Sequence, residues 1–584
     1  MAIKTLDEGE GKYLYSTFGK SQQVECVHGT HITGALTEVD MLDVCRKNEV
    51  KLIVDAAHPF AINLHNTIGT VANELGLPVI RLERIYPPMP ESGIVWCEDF
   101  EDAIKKMEAL GVNKLLALTG VNTIPKLKKY WNRHETWFRV LNRIESIEEA
   151  QGHEFPKDHL VFYEKHDTDK LIGALNPDAI ITKESGVTGG VEEKVRAATA
   201  NNVKLFIVRR PKLPDNFIIV DGRHGLRMEI ERLLPDFYTL HTGFTTGSCA
   251  TAAAKAALWG LLKGEKLSEV RFLIPEGETM KMDVESVEIS ESSAVASVIK
   301  NAGDDPDVTD KSRITVSVSY NENNGITFKG GAGIGTVTLP GIGLEVGQPA
   351  INPVPREMIT NELSSLYSGG LEVTVTVENG EELSAKTFNP RVGVVGGISI
   401  IGTTGIVRPF SHEAFVQAIR REMEVALAVG CKRIVVNSGG KSERSMKTLY
   451  RDLSPQAFIH YGNAIGDTMA LANELNVPEL TVGLMLGKAV KLAEGNMDTH
   501  SHKITVNRDF LCGIAIECDC SDNAVNTISQ INMARELWSA LTVEDSDRFF
   551  PTVLQHCFNH CSSLYYGNLE AVLIDDEGKI RYKL

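Results

Sequence analysis

The chain has 584 residues, of which 43% are apolar and 23% charged, and its 60 basic and 77 acidic side chains give a formal net charge of −17. At roughly 150 residues per domain this predicts about four globular domains, and it excludes disorder, collagen-like repeats and a coiled coil. The acidic balance argues against nucleic acid or an anionic membrane as partner, and the 10 cysteines are too few for a disulfide scaffold.

The start, Met1 to Glu10, is acidic and has no apolar signal core, and no apolar run approaches the length of a membrane span. The expectation is a soluble protein of a reducing, cytoplasmic compartment. From Thr37 to Pro211 short apolar strands alternate with amphipathic segments: Lys51–Asp55, Pro78–Glu83, Asn113–Leu118, Ala179–Thr182 and Lys204–Val208. Asp99 is placed to cap a helix with apolar positions Phe100, Ile104, Met107 and Leu110 and a stop at Gly111. Buried strands alternating with helices predict a parallel α/β sheet, with a sub-boundary near Gly111 to Asn113. Residues 212–240 read as a linker and a terminal helix from Arg223 to Leu234, punctuated by Pro211, Pro214 and Pro235.

Residues 241–390 change character. An Ala-rich helix from about Gly247 to Leu262 precedes alternating stretches that start at Met280, Val295, Ile314 and Leu371. Period-two alternation marks half-exposed strands, hence an α+β domain with a largely antiparallel sheet. Residues 391 to about 500 return to α/β. Four apolar runs precede glycine-bearing loops at Gly396–Gly397, Gly439–Gly440, Gly462 and Gly483. Ligands of open α/β sheets bind beyond the carboxyl ends of strands, so these loops are the default cofactor site. The tail, 501–584, carries little readable pattern.

Several strings carry chemistry. Gly243–Cys249 sets small hydroxyl residues at a helix start, where free amides bind carboxylate or phosphate; the plain alternative is an N-cap by Thr246 or Ser248. Asn301–Thr309 packs Asp304, Asp305 and Asp307 into one turn, which spacing alone reads as a solvated loop. Lys329–Gly335 and Gly396–Gly405 are glycine-rich, and the second departs from dinucleotide spacing. Cys512, Cys518, Cys520, Cys557 and Cys561, with His556 and His560, match no zinc pattern and read as buried thiols, so no metal site is expected. His58 stands at a strand end, where a catalytic and a purely structural role weigh equally.

Together these strings go further. Thr242–Ala250, Gly303–Thr309, Ala350–Arg356, Thr387–Arg391, Gly396–Gly405, Gly487–Lys488, Lys491–Ala493 and Thr499–Ser501 resemble, in order and spacing, the cobalt-precorrin-5B C1-methyltransferase (CbiD) family. The resemblance runs from about residue 240 to at least 505. Ser248 stands where the family often has Thr, and Gly483-Leu-Met-Leu stands where it has a His-containing turn. Residues 37–211 resemble precorrin-6A reductases (the CobK/CbiJ family) through Asp55–Ala61, Arg81–Arg84, Thr119–Gly120, Lys183–Gly186 with Gly189 and Lys194, and Arg209–Pro211. That family opens with a strand and a Gly-Gly-Thr-type loop, whereas this chain reaches a segment like its second strand at Leu14–Thr17. The resemblance therefore implies a first domain one βα unit short, through either a misassigned start or an impaired reductase half.

The implied architecture is α/β and α+β multidomain: two Rossmann-like halves (1–112 and 113–235), an α+β domain (236–390) and a Rossmann-like domain with a C-terminal extension (391–584). The implied activities are consecutive: S-adenosylmethionine-dependent methylation of a cobalt tetrapyrrole at C-1, then reduction of the product by NADH or NADPH. The alternative is a methyltransferase whose N-terminal half only binds or hands on the tetrapyrrole. The polycarboxylate substrate calls for local positive charge. Lys329, Arg356, Lys386, Arg391 and Arg408 are its candidates, with Thr245, Thr246 and Ser248 at the helix start. S-adenosylmethionine is placed at Gly396, Gly397, Gly402, Thr403, Thr404, Gly439 and Gly462, with Asp304, Asp305 or His500 handling protons. In the reductase half, His58 is the candidate proton donor, and Lys183, Ser185, Gly186 and Gly189 suit phosphate or carboxylate contacts. A homo-oligomer stays open.

Overall fold

A computed structural model describes residues 1–17, 24–86, 89–90, 93–164, 167–500 and 505–584. It divides into two compact units: Met1–His241 with Glu276–Lys281, and Thr242–Pro275 with Met282–Leu584. Among the described residues no helix is long and apolar enough to cross a membrane.

The first unit contains two lobes. In one, Tyr13–Thr17 pairs in parallel with Gly29–Thr33, and a three-stranded parallel sheet runs Phe217–Asp221, Val79–Glu83, Ile53–Asp55. Helix Glu38–Lys47 starts at a capping box of Thr37 and Asp40, and helix Ile62–Leu75 stops at Gly76 in the left-handed region. Both helices pack Met41, Ile68 and Val71 onto Val79 and Phe217. The other lobe is a six-stranded parallel sheet ordered Ile94–Cys97, Lys204–Val208, Ala179–Lys183, Lys114–Ala117, Glu135–Val140, Leu160–Phe162. Leu115, Leu116, Ile180, Ile181, Phe206 and Ile207 are buried because helices cover both faces, which is why these strands read as unbroken apolar runs. The helix foreseen after Asp99 runs Phe100–Ala109, with the Asp99 carboxylate accepting from the Asp102 amide; Leu110 falls outside and is exposed.

The expected boundary at 112 is misplaced. Ile94–Cys97 already belongs to the second lobe, and Phe217–Asp221, read as linker, is a strand of the first. The chain thus leaves the first lobe between Glu83 and Ile94 and re-enters it after Val208. Helix Gly222–Leu233 follows, its first amides capped by the Glu278 carboxylate, which accepts from Arg223 at 3.0 Å and His224 at 2.8 Å.

In the second unit, helix Thr246–Lys263 lies on a five-stranded sheet ordered Ser286–Ile289, Ser293–Ile299, Arg313–Tyr320, Leu371–Val377, Ile326–Gly330. All pairs are antiparallel except the last. Alternate residues of Arg313–Tyr320 and Leu371–Val377 are buried, as the period-two pattern requires. The buried Ala250, Ala252, Ala253, Ala254, Ala256 and Ala257 let the helix approach the sheet closely.

The run before Gly396 is not a strand of the second α/β sheet. Val394–Val395 pairs antiparallel with Thr336–Val337, so the segment to about 409 closes the α+β domain. The parallel sheet runs Phe458–His460, Arg433–Asn437, Glu479–Met485, Asn568–Ile574, with Ile580–Lys583 added antiparallel. Its fourth parallel strand comes from the tail that carried no readable pattern. The fourth run passes straight through Gly483 to Met485; a Cβ at Gly483 would meet Asn437 and Met446, each at 2.9 Å.

Candidate active sites

In the first unit, loops at the carboxyl ends of Lys114–Ala117, Glu135–Val140 and Ala179–Lys183 surround a cleft of about 360 Å³. His58 faces it from the first lobe; Thr119, Gly120, Arg139, Tyr163, Lys183, Ser185, Gly189 and Lys194 face it from the second. The anticipated His58, Lys183, Ser185 and Gly189 are thus brought together. Gly186 stands beside them at φ +70°, packed on Arg84 and the Ile85 carbonyl.

The cleft is cationic. Arg139 projects from strand Glu135–Val140, donates to Asp167 at 2.7 Å and to Thr168 at 3.0 Å, and lies over the Tyr163 ring. Lys194 is buried and donates to the Gly189 carbonyl at 2.9 Å. Burial, then the nearby charge of Arg139, pushes Lys194 down to about 8; burial, then Lys126 and Arg84, pushes Lys183 to about 8. His58 is held in its neutral form. Burial and the charges of Lys183 and Arg84 push it down to about 4, and its Nδ1 accepts the Phe60 amide at 3.1 Å. With Nδ1 accepting, the single N–H of this neutral imidazole lies on Nε2.

Behind His58 lies a network that the sequence did not announce. Asp55 meets His65 Nδ1 at 2.7 Å and Arg81 at 3.0 Å, and His65 Nε2 reaches the His58 carbonyl at 3.1 Å. Burial opposes ionisation of Asp55, but His65 and Arg81 outweigh it and hold the carboxyl below its ordinary range. His65 therefore fixes the loop that carries His58. In the same unit, His224, Glu276 and Glu278 bring metal-capable atoms within 4.8 Å of one another. Glu278 is committed to helix amides and Glu276 to Arg223 at 3.2 Å, so the cluster reads as a helix cap.

In the second unit the carboxyl ends of the central parallel strands carry Asn437, His460 and the loops after them. Gly439 opens helix Gly440–Leu449, and neither Gly439 nor Gly440 has an atom within 4 Å of where a Cβ would stand. Gly462, at φ +54°, lies against the Phe415 ring. Lys488 donates to the Asn463 side chain, and the Thr499 amide donates to the Asn463 carbonyl at 3.1 Å. A second cavity of about 360 Å³ opens here among His412, Gly466, Asp467, Met497 and Asp498.

Comparison with known proteins joins these sites to families. Residues 235–409 match the family profile described as CbiD, 498–583 that of the CbiD C-terminal domain, and 2–224 that of precorrin-6x reductase CbiJ/CobK. A cobalt-precorrin-5B C(1)-methyltransferase of Geobacillus sp. (strain WCH70) is 40% identical over 324 residues, covering 55% of this chain and 89% of that protein. The chain belongs to the CbiD family. It is a bifunctional enzyme of cobalamin biosynthesis, a CbiJ/CobK-like reductase module fused to a CbiD-like C1-methyltransferase module. The protein of the same description from Prosthecochloris aestuarii is 40% identical over 345 residues, covering 57% of this chain and 94% of that protein. Among solved structures, Archaeoglobus fulgidus CbiD aligns at 27% identity and TM-score 0.26 over 46% of this chain and 84% of its own. A CobK precorrin-6A reductase aligns at 17% identity and TM-score 0.34 over 40% and 91%.

Within the CbiD module the expected substrate and cofactor residues scatter. The cap of helix Thr246–Lys263 is Thr245, whose hydroxyl accepts from the Ser248 amide at 3.2 Å. Thr246 and Ser248 are buried; Ser248 donates to the Gly405 carbonyl at 2.6 Å and the Gly247 amide donates to Ile401 at 2.9 Å. That helix start is closed by the segment Ile401–Gly405 and offers no open anion site. Gly402 packs on Thr245, and a Cβ at Gly397 would lie 2.4 Å from the Gly333 carbonyl. Gly396, Gly397, Gly402, Thr403 and Thr404 thus belong to the α+β domain, whereas Gly439 and Gly462 follow strands of the parallel sheet.

The basic candidates divide likewise. Lys329, Lys386 and Arg408 are exposed, Lys329 pairing with Glu372 at 2.7 Å. Arg356 is turned inward to the carbonyls of Ile351 at 2.7 Å and Pro349 at 3.2 Å, and Arg391 is committed to Glu422 and Glu443. Asp305 accepts the Phe410 amide at 3.0 Å, a loop anchor, while Asp304 is exposed. Asp307 binds the fully buried ammonium of Lys300 at 2.9 Å. His500 follows Asp498, whose carboxylate accepts its amide at 3.1 Å; Ser501, last residue of that motif, lies outside the described residues. Of the tail thiols, Cys557 and Cys561 are buried in the core, and His556 meets Glu517 at 3.0 Å.

Proposed function

We propose that the CbiD module transfers a methyl group from S-adenosylmethionine to C-1 of cobalt-precorrin-5B. The reductase module then reduces the resulting cobalt-precorrin-6A with NADH or NADPH. The observation that carries the reading is the pairing, on one chain, of a methyltransferase module with a reductase module whose cleft is ringed by Arg139, Lys183 and Lys194. A polycarboxylate macrocycle and a pyrophosphate both need such cations. Lys183, Ser185 and Gly189 are suited to hold the anionic parts of tetrapyrrole or nucleotide. His65 and Asp55 keep the wall opposite in place. Fusion raises the effective concentration of the first product at the second site.

In the CbiD module, the open strand-end loops at Gly439–Gly440 and Gly462 suit S-adenosylmethionine better than the closed segment Gly396–Gly405. S-adenosylmethionine, when bound, supplies a methyl group on an electron-poor sulfur. The protein's part is alignment, worth up to about 7–11 kcal/mol in ideal intramolecular cases. The test is mass spectrometry of cobalt-precorrin-5B incubated with the full chain. Addition of S-adenosylmethionine is expected to add a methyl group, and reduced nicotinamide then a hydride and a proton. A tetrapyrrole that gains no methyl rejects the first assignment. A methylated product that is never reduced rejects the second.

A further inference from the structure

The carboxyl edge of the parallel sheet holds a group of ionisable side chains of which the motifs announced Arg391 alone. His460 ends strand Phe458–His460, Glu443 and Lys447 come from helix Gly440–Leu449, Glu422 from helix His412–Ala428, and Arg391 from the turn Asn389–Val392. Arg391 lies 3.3 Å from Glu422 and also bonds Glu443. Lys447 meets Glu443 at 2.5 Å, and the other oxygen of Glu443 bonds His460 Nε2.

This geometry sets the tautomer. Burial works against ionisation of Glu443, but Lys447 and Arg391 hold it below the ordinary carboxylate range. An ionised carboxylate only accepts, so the shared proton belongs to Nε2 and Nδ1 keeps its lone pair. A carboxylate that fixes one imidazole nitrogen and frees the other for proton transfer is the arrangement of a general base. Glu443 and Glu422 are nearly buried, with 9% and 7% of their side chains exposed, whereas His460 keeps 22% open. Burial and the Arg391 charge keep His460 below the ordinary histidine range, so it is the free base at neutral pH. The helix that carries Glu443 starts at the unobstructed Gly439–Gly440 loop.

A base is chemically required if the module methylates C-1, and the inference rests on that reading. The S–CH3 bond breaks with its electron pair left on sulfur. C-1 forms the new C–C bond from a π pair of the macrocycle, which gains one positive charge. Loss of one proton from the methylated macrocycle cancels that charge. We propose that His460 Nδ1, with Glu443 as its positioning residue, takes that proton and passes it to solvent.

The test uses the full chain, cobalt-precorrin-5B and S-adenosylmethionine in single turnover, beside equilibrium binding of S-adenosylmethionine. His460→Ala is expected to lower methyl transfer about 100-fold or more while cofactor affinity holds, and added imidazole is expected to restore part of the rate. Glu443→Gln is expected to slow transfer about tenfold and to move the acid limb of the rate–pH profile to lower pH, because the imidazole loses its stabilising anion. A His460→Ala chain that transfers methyl at the unmodified rate overturns the proposal, as does one that loses transfer without imidazole rescue or a Glu443→Gln profile that does not move. An unmodified chain that transfers no methyl overturns the proposed function instead, and this inference with it.

Discussion

Thr246 and Ile401 exchange two hydrogen bonds: the threonine hydroxyl donates to the Ile401 carbonyl at 3.2 Å and accepts from its amide at 2.9 Å. They stand 155 positions apart. The contact explains why two motifs that looked like separate ligand loops are one closed structure. Thr246→Val removes both bonds and is expected to cost about 1–3 kcal/mol, read from denaturant unfolding. Thr246→Ser keeps the hydroxyl and is expected to lose much less. Equal losses would show that the methyl group, and not the bonding, matters.

Lys300 and Asp307 test the acidic turn. The Lys300 side chain is fully buried and Asp307 is its carboxylate at 2.9 Å. Asp307→Asn leaves that ammonium without a counter-charge and is expected to destabilise the second unit by about 3–5 kcal/mol. Asp307→Glu, which keeps a carboxylate for that ammonium, is expected to lose much less. Thermal unfolding of the two variants checks the contrast.

Two glycines separate structure from site. At Gly397 a Cβ would sit 2.4 Å from the Gly333 carbonyl, so Gly397→Ala is expected to cost about 1–3 kcal/mol. At Gly439 no atom stands within 4 Å, and Gly439→Ala is expected to leave stability unchanged. If S-adenosylmethionine lies on that loop, Gly439→Ala weakens its binding, which calorimetry reads directly.

Glu422 makes stability depend on pH. Burial, against the opposing charge of Arg391, raises it from 4.5 to about 7. Between these values the folded chain holds more protons than the unfolded one, so stability falls as pH rises through that window. Glu422→Gln is therefore expected to be the more stable chain at pH 8, by of order 1–3 kcal/mol, and to lose the advantage towards pH 4. Melting curves across that range give the sign.

The reductase cleft predicts a pH effect on binding. Lys183 and Lys194 are both pushed down to about 8 by burial. Above that pH they lose charge, and NADPH affinity is expected to fall by up to about tenfold per lysine between pH 7 and pH 10. Lys183→Arg stays charged and is expected to flatten part of that fall. A binding constant that ignores pH in the unmodified chain would remove both lysines from the anion site.

Parallel strands were legible where burial on two faces leaves an unbroken run, as in Leu115–Leu118 and Ile434–Val436, whereas Ile94–Cys97, Glu135–Val140 and Leu160–Phe162 were not read. The antiparallel sheet was legible because Leu371–Val377 alternates residue by residue. Pairing over distance was not legible. Phe217–Asp221 and Asn568–Ile574 are ordinary apolar runs whose partners, Val79–Glu83 and Glu479–Met485, lie far away in the chain. The reductase cleft was half visible in His58, Lys183, Ser185 and Gly189. Arg139 left a signal that was passed over, a charge between the apolar Phe138 and Val140. Arg391 was visible in the string Thr387–Arg391, but Glu422, Glu443 and His460 left no signal, because they come from three separate elements and share no spacing.

The return of Phe217–Asp221 to the edge of Val79–Glu83 governs the order in which the first unit is made. On the ribosome, every strand of the six-stranded sheet has emerged once Val208 is out, whereas the sheet of the first lobe still lacks a member. The nested lobe can close first; the enclosing lobe, carrying Asp55, His58 and His65, must wait with Val79–Glu83 as an unpaired edge until residue 221 arrives. A parallel pairing across so long a loop is slow to form. The wall of the cleft that His58 occupies is thus completed only after the nested lobe, and its waiting strand edge is exposed to mispairing during synthesis.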